Sequence, residues 1–285
     1  MAGSYMDESF DRSQRGVFAV GGILGRGVAI FELERRWEQL LTRPDIGIGY
    51  FKASECQNGK GEFRRFIADP KSITEAERSK LDSISHEFLN LISHPVLFDN
   101  RGFICVQGVG VVQDDFYEVI KDPYAKAVLG PSPYRLAYDL AMIQCAWAMK
   151  QLGDGWFVSF VCDEHEKYGP FAVKAFENLK SKNPQAAEYM GTFSSKDDKT
   201  CAPLQAADAA VFEVRRALHL ALKKRPGKLR SQFNVLDEAK AMFLITHSNK
   251  EQLLHLVSNH KPEEPFKLDS LMDTQYSENI RFSDS

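Results

Sequence analysis

Three aspartates that lie far apart in the sequence, Asp7, Asp163 and Asp208, have the type and placement of ligands for a divalent metal ion. Asp7 ends a short predicted strand, and Asp163 follows the apolar run 156–162. In an open α/β sheet, ligands gather beyond the carboxyl ends of the strands, so we expect Asp7 and Asp163 to lie side by side if their strands are parallel neighbours. A divalent cation would relieve the repulsion between such carboxylates.

Asp208 lies on a predicted helix that begins at Pro203 and ends near Lys224. The apolar residues of this helix recur at three/four spacing and define one buried stripe. At 100° per residue, Asp208 lies roughly 85° from the centre of that stripe, so we expect it to be partly sheltered and to face a cleft. Ordinary interpretations remain open for each acid: a salt bridge for Asp208, a turn for Asp7 and a helix cap for Asp163.

The remaining pattern predicts a mixed α/β domain that holds these acids. The expected elements, in chain order, are a hairpin of strands 4–7 and 16–25, helices 27–42 and 74–92, strand 103–112, helix 133–152, strand 156–162, helix 170–179, strand 189–193, a polar loop 194–200 and helix 203–224. Helix 74–92 begins with a capping box, and strand 156–162 is expected to be buried on both faces. We predict a main domain over 1–230 with a helical insertion at about 70–95, a helical extension over 231–258 and an acidic tail over 259–285.

Composition limits the protein class. A chain of 285 residues that is 44% hydrophobic can bury a full core, and its net charge of −3 gives no general nucleic-acid signature. The five cysteines include no C-x-x-C pair, so neither a disulfide framework nor a zinc site is indicated. With no signal-like start and no run of about 18 apolar residues, we expect a cytoplasmic protein without a membrane partner. The sequence does not indicate an oligomeric state.

Several segments resemble, in order, domain-of-unknown-function family 3800, which is similar to the ribonuclease H and retroviral integrase fold. They are Asp7-Glu8-Ser9, the glycine-rich second strand, Phe51-Lys52-Ala53-Ser54-Glu55, Val161-Cys162-Asp163-Glu164 and Leu204-Gln205-Ala206-Ala207-Asp208. The resemblance covers about 5–216, and it departs from the family pattern at Phe10, where Gly is more usual, and at Lys52, where His is common. It implies a ribonuclease H-like mixed sheet flanked by helices. It also implies metal ligands at Asp7, Asp163 and Asp208, with Glu8, Glu55, Glu164 and Glu166 as additional candidates.

This set of acids suits phosphodiester hydrolysis. Two hard cations about 4 Å apart could stabilise the attacking and leaving oxygens, and oxygen ligands favour Mg²⁺ or Mn²⁺ over zinc. His165 is a candidate general acid, although a loop histidine is more often solvated. The glycines around Gly22 lack both phosphate-loop patterns, so we interpret them as positions of close packing and a turn.

Basic residues provide a candidate nucleic-acid contact. Residues 214–236 include seven bases and no acid. Arg215 lies two helical turns from Asp208, about 10 Å away on nearly the same face. The candidate contacts are Arg215, Arg216, Lys223, Lys224 and Arg225. The alternative is a solvated helix end whose bases interact favourably with the helix dipole.

These observations predict divalent-metal-dependent hydrolysis of nucleic acid. The main alternative is a catalytically inactive ribonuclease H-like protein that binds nucleic acid or another partner, in a defence or mobile-element system. An ATP-dependent phosphotransferase is disfavoured, because no phosphate-binding glycine loop follows the first strand.

Overall fold

The computed structural model describes residues 1–10, 16–93, 103–153, 155–222, 231–238, 242–262, 264 and 266. The strands are β1 (Ala2–Ser9), β2 (Val17–Arg26), β3 (Ile104–Val112), β4 (Val158–Asp163), β5 (Met190–Lys196) and β6 (Met242–Ser248). The helices are α1 (Gly27–Leu41), α2 (Ala53–Asn58), α3 (Glu75–Ser93), α4 (Gln113–Val119), α5 (Pro123–Leu129), α6 (Pro133–Leu152), α7 (Gly169–Lys182), α8 (Pro184–Glu188), α9 (Ala202–Leu222), α10 (Ser231–Glu238) and α11 (Lys250–Asn259). Short 3₁₀ helices span Gly61–Phe66 and Asp198–Thr200.

The six strands form one mixed sheet in the order β5-β4-β1-β2-β3-β6. Strands β1, β2 and β3 are successively antiparallel, which confirms the expected hairpin, while β4 runs parallel to β1, β5 to β4 and β6 to β3. The predicted α/β class is therefore correct. No helix in the described part of the chain has the length and apolarity needed to cross a membrane.

Two hydrophobic cores lie on opposite faces of the sheet. Helix α6 packs against one face together with α4, α5, α7 and α11, and α9 packs against the other together with α1, α2, α3 and α10. The expected capping box begins α3: the backbone N–H of Thr74 donates to the Glu77 carboxylate at 2.8 Å, and the Glu77 N–H donates to Thr74 Oγ1 at 3.3 Å.

Glycines allow α9 to lie unusually close to the sheet. Gly22 has φ of +151°, and a Cβ there would lie 2.2 Å from the carbonyl oxygen of Tyr5 and 2.5 Å from Cβ of Ala207. A Cβ on Gly110 would lie 2.5 Å from Cδ1 of Leu218. Side chains at these positions would push the helix away. Close packing therefore explains why a glycine stands at position 22. The same packing brings Asp208, the residue after Ala207, close to β1.

The strands around β4 differ from the prediction in two ways. Residues of β4 alternate between buried and half-buried, so the expected burial on both faces is wrong; α9 covers β1 and β2 more than β4. Residues 194–196 were expected in a loop but extend β5, because Lys196 pairs with Asp163. The sheet edge is therefore longer here than the sequence pattern suggested.

Residues 231–258 were predicted to form a helical extension, but the segment also contains a strand. Strand β6 lies between α10 and α11 and pairs with β3, from Cys105 opposite Met242 to Val111 opposite Ser248. This pairing satisfies backbone groups that would otherwise form an open edge of β3. The acidic stretch 267–285 lies outside the described residues.

Candidate functional site

The parallel pair β1 and β4 brings Asp7 and Asp163 together. Met6 is in register with Cys162, so the two aspartates are the next residues along neighbouring strands at the same edge of the sheet. The Asp7 side chain is 3% exposed, and Asp163 is half-buried. This is the adjacency expected from the strand ends.

The third carboxylate of the cluster comes from Asp198, which was not among the predicted site residues. It begins the 3₁₀ helix that follows β5, and its backbone N–H donates to the Asp163 carboxylate at 3.2 Å. One oxygen each from Asp7, Asp163 and Asp198 lies within 4.8 Å of the other two. Oxygens that share one hard cation lie at most about twice the metal–oxygen bond apart, roughly 4–5 Å. The three acids could therefore hold one divalent cation.

Asp208 lies beside this cluster rather than within the group of three. Its side chain is only 6% exposed, not partly open as predicted, because residues 202–214 of α9 are buried between the sheet and the helices above it. The backbone N–H of Ala53 donates to Asp208 Oδ2 at 2.6 Å, and the Asp208 carboxyl shares a hydrogen bond with Asp7. Asp208 is therefore placed to orient Asp7.

Lys52 supplies positive charge inside the acidic cluster. Its ammonium forms an ion pair with the Asp198 carboxylate, and its side chain is 31% exposed. Burial acts to lower the pKa of Lys52, but the carboxylates of Asp208, Asp7 and Asp198 outweigh burial and raise it. The lysine is therefore a fixed cation at the centre of the site.

The environment of these aspartates disfavours their charged form, because they are buried and lie close to one another. Burial raises the pKa of Asp7 well above its usual value, and the charges of Glu8 and Asp208 add to this effect. Burial raises the pKa of Asp208 to about 6, although Lys52 and the Ala53 N–H oppose it, and burial together with Asp198 raises the pKa of Asp163. Such a cluster is stabilised by protons or by a cation.

Glu8 points to the other face of the sheet, because successive side chains of a strand alternate. Its carboxylate accepts a hydrogen bond from the hydroxyl of Tyr138 on α6 at 3.0 Å. His165 Nε2 lies 3.8 Å from Glu8 Oε1, and the His165 ring lies 4.9 Å from the ring of Tyr168, centroid to centroid. Burial raises the pKa of Glu8 to about 7, although the Tyr138 hydrogen bond opposes this.

The other candidate acids lie apart from the group of three. Glu55 accepts a hydrogen bond from the Tyr50 hydroxyl at 2.9 Å, and Glu164 and Glu166 are exposed on the turn after β4. Within the described ranges, the group that could hold a metal comprises the three aspartates and none of these glutamates.

Arg215 is one of the two predicted basic contacts that lie among the described residues. Its Nε donates to Ser9 Oγ at 3.0 Å, which places it at the carboxyl end of β1, and its guanidinium lies 5.6 Å from the ring centre of Phe212. Arg216 also contacts the Phe212 ring, at 5.7 Å. Lys223, Lys224 and Arg225 lie outside the described residues. Three further lysines are exposed near this edge: Lys167 after β4, Lys196 at the end of β5 and Lys199 after β5.

Gln205 connects the elements that carry Lys52 and Asp198. Its Oε1 accepts from Trp37 Nε1 at 2.9 Å and from the Phe51 N–H at 3.0 Å. Its Nε2 donates to the carbonyl oxygens of Asp198 at 3.0 Å and Lys199 at 3.3 Å. The side chain is 2% exposed and all of its hydrogen-bonding capacity is used. Gln205 therefore fixes the loop before α2 against the turn after β5.

Two of these functional candidates were missed for different reasons. Asp198 was recognisable, since the acidic pair 197–198 follows a strand that could end at the same sheet edge. Lys52 was noted only as a departure from a family pattern. Its place in the site depends on contacts between residues 146 or more positions apart, which no local pattern shows.

The chain matches no family model, no curated protein and no solved structure.

Proposed function

We propose that this protein hydrolyses phosphodiester bonds of nucleic acid with the help of a divalent metal ion. The observation that carries the proposal is the convergence of Asp7, Asp163 and Asp198, whose oxygens lie within 4.8 Å of one another at the carboxyl edge of the sheet. Hard cations such as Mg²⁺ and Mn²⁺ prefer carboxylate oxygens, and this group provides three.

The sheet supports a ribonuclease H-like classification. Strands β1 to β5 combine a three-stranded antiparallel unit with two strands parallel to β1, in the order β5-β4-β1-β2-β3. This is the arrangement expected for a ribonuclease H-like fold, with α1, α2 and α3 inserted between β2 and β3. The resemblance to domain-of-unknown-function family 3800 belongs to the same proposal.

Each residue of the site has a defined role in the proposed reaction. Asp7, Asp163 and Asp198 would hold the cation, while Asp208 would orient Asp7 through their shared hydrogen bond. A bound Mg²⁺ or Mn²⁺ would polarise the phosphoryl group and lower the pKa of an attacking water. Lys52 would keep positive charge beside the scissile phosphate, because its ion pair with Asp198 holds the ammonium in the site.

The charge around the site suits a polyanionic substrate. Arg215 lies at the end of β1, and the exposed Lys196 and Lys199 lie on either side of Asp198. Basic groups around an acidic centre can bind phosphates that flank the scissile bond. These contacts would offset the repulsion between the substrate and the four carboxylates.

A second function remains, which is a catalytically inactive protein that binds nucleic acid or another partner. The ion pair between Lys52 and Asp198 favours it, because the lysine already neutralises part of the acidic cluster without a metal. In that case the acids and Lys52 would have a structural role only.

Cleavage assays with two neighbouring variants separate these functions. We expect the purified protein to cleave single- or double-stranded DNA or RNA in Mg²⁺ or Mn²⁺, and Asp198→Asn to remove this activity. Asp197→Asn is the matched control: Asp197 caps the same 3₁₀ helix by accepting from the Lys199 N–H at 3.0 Å, and asparagine can do the same. Asp197→Asn should therefore retain cleavage.

The outcomes lead to different conclusions. Absence of cleavage with every nucleic acid and both metals would favour the inactive binding protein. Equal cleavage by the wild type and Asp198→Asn would point to a contaminating nuclease or to a different active site.

A further inference from the structure

Lys52 lies beside the three aspartates that would share a metal ion. Its ammonium contacts Asp198, one of the three aspartates that would share a metal ion. The same short segment reaches Asp208, because the backbone N–H of the next residue, Ala53, donates to Asp208 Oδ2 at 2.6 Å. The beginning of α2 therefore contacts one carboxylate of the group of three, Asp198, and one that lies beside the group, Asp208.

A second metal ion would need ligands that this segment already uses. Two-metal sites place their ions about 3.5–4 Å apart, and carboxylates commonly serve both ions. One Asp198 oxygen faces the Lys52 ammonium, and Asp208 Oδ2 faces the Ala53 N–H. Lys52 is itself fixed, since the backbone N–H of Phe51 donates to the buried Gln205 at 3.0 Å.

We propose that the Lys52 ammonium takes the place of a second cation, so that the site binds one divalent ion rather than two. This inference rests on the proposed function. The lysine would provide one fixed positive charge next to the phosphate, while the metal held by Asp7, Asp163 and Asp198 provides the exchangeable charge. Lys52 is thus a residue that sets metal stoichiometry.

Calorimetric titration of the full chain with Mn²⁺ alone tests this directly. We expect one ion bound by the wild type and by Lys52→Arg, which keeps the charge, and two ions bound by Lys52→Met, which keeps most of the side-chain length. Lys60→Met is the matched control, because Lys60 is exposed and precedes the 3₁₀ helix Gly61–Phe66. It should bind one ion.

Electron paramagnetic resonance provides a second readout that does not depend on activity. Two Mn²⁺ ions about 4 Å apart are magnetically coupled, so Lys52→Met should show a coupled spectrum and the wild type an isolated-ion spectrum. Circular dichroism checks that each variant is folded. If Lys52→Met does not fold, Lys52→Gln, which also removes the charge, takes its place in both measurements and should likewise bind two ions.

The possible results separate this inference from the function on which it rests. Two ions in the wild type, or one ion with unchanged affinity in a folded Lys52→Met, would overturn the role of Lys52 and leave metal-dependent hydrolysis intact. No Mn²⁺ bound by any folded variant would overturn the metal site itself, and with it both proposals.

Discussion

Asp7 and Glu8 are neighbours in the sequence, yet they lie in two chemically different regions of the molecule. Asp7 faces α9 and meets Asp208, Asp163 and the Lys52 charge, whereas Glu8 faces α6 and meets the Tyr138 hydroxyl. Both acids are buried, at 3% and 8% exposure. Burial alone therefore does not distinguish a candidate metal ligand from a structural carboxyl; the groups opposite it do.

The two regions also differ in what stabilises the negative charge. A neutral hydroxyl can satisfy one carboxylate such as Glu8 through a hydrogen bond. The four carboxylates on the α9 side, those of Asp7, Asp163, Asp198 and Asp208, repel one another, and hydrogen bonds from backbone N–H groups offset only part of that repulsion. A cation would offset the rest of that repulsion, so the proposed metal ion belongs to the α9 side.

The largest expected effect is the difference in activity between Asp7→Asn and Glu8→Gln. Asp7→Asn replaces a proposed metal ligand and should lower cleavage more than about 100-fold, because even outer-shell partners of metal sites contribute 10–100-fold. Glu8→Gln should lower cleavage less than about 10-fold. Steady-state rates with Mg²⁺ and one oligonucleotide measure both variants.

Stability provides the control for this pair. Asp7→Asn removes like-charge repulsion, so its free energy of unfolding without metal should equal or exceed that of the wild type. A large loss of activity in Glu8→Gln with little loss in Asp7→Asn would place the chemistry on the α6 side and reverse the comparison.

The next largest expected effect is a loss of stability when Gln205 is replaced, because its hydrogen bonds connect the elements on the Asp7 side of the sheet. Gln205→Leu would leave the Trp37 Nε1 and Phe51 N–H groups without their buried acceptor, and each unsatisfied group costs about 1–3 kcal/mol. We expect the free energy of unfolding to fall by about 3 kcal/mol in urea titrations. Gln39→Leu, on the exposed side of α1, should change it by less than about 0.5 kcal/mol.

An unchanged stability of Gln205→Leu would mean that the loop before α2 is held by other contacts. The placement of Lys52 would then not depend on the hydrogen bonds of Gln205.

The sequence predicted the part of the site that depends on strand periodicity. Asp7 and Asp163 could be placed together because both follow apolar strands, and a parallel pair puts such residues at one edge. Asp208 was given the wrong exposure, because helical periodicity identifies one buried stripe and does not show that α9 is covered on its other side as well.

The remainder of the site depends on contacts that are distant in sequence. Asp198 was assigned to a polar loop, and its position became clear only from the pairing of β5 with β4. Lys52 reaches Asp198 because the preceding residue, Phe51, is held by a hydrogen bond to Gln205, which lies 154 positions further along the chain. Strand β6 was missed since short apolar runs near helices do not reveal whether they extend a sheet.

A smaller effect is the pH dependence of stability without metal. The folded state raises the pKa of Asp7, Asp163, Asp208 (to about 6) and Glu8 (to about 7). Between about pH 4 and pH 7 it therefore binds more protons than the unfolded state, and the free energy of unfolding should fall as pH rises. Each excess proton contributes about 1.4 kcal/mol per pH unit.

Urea unfolding in EDTA at several pH values measures this decrease. Mg²⁺ competes with protons for the carboxylates, so its stabilising effect should increase from pH 5 to pH 8. Glu8→Gln should remove the part of the decrease near pH 7 and leave the Mg²⁺ effect in place. Stability that rises steadily through this range without metal would contradict the proposed burial of the cluster.

The smallest expected effect is on the binding of the nucleic-acid backbone by Arg215. The residue lies at the carboxyl end of β1, so Arg215→Ala should weaken binding equally for all sequences. It should flatten the slope of log affinity against log salt by about 0.9 for duplex DNA, as expected for one lost phosphate contact. Fluorescence anisotropy at several salt concentrations, on an Asp198→Asn background that prevents cleavage, measures the slope. Lys126→Ala, on the exposed surface of α5, is the control and should leave the slope unchanged. Equal slopes for Arg215→Ala and the control would show that Arg215 does not contact the nucleic-acid backbone, and the substrate would then have to follow the Lys196 and Lys199 side of the acidic cluster.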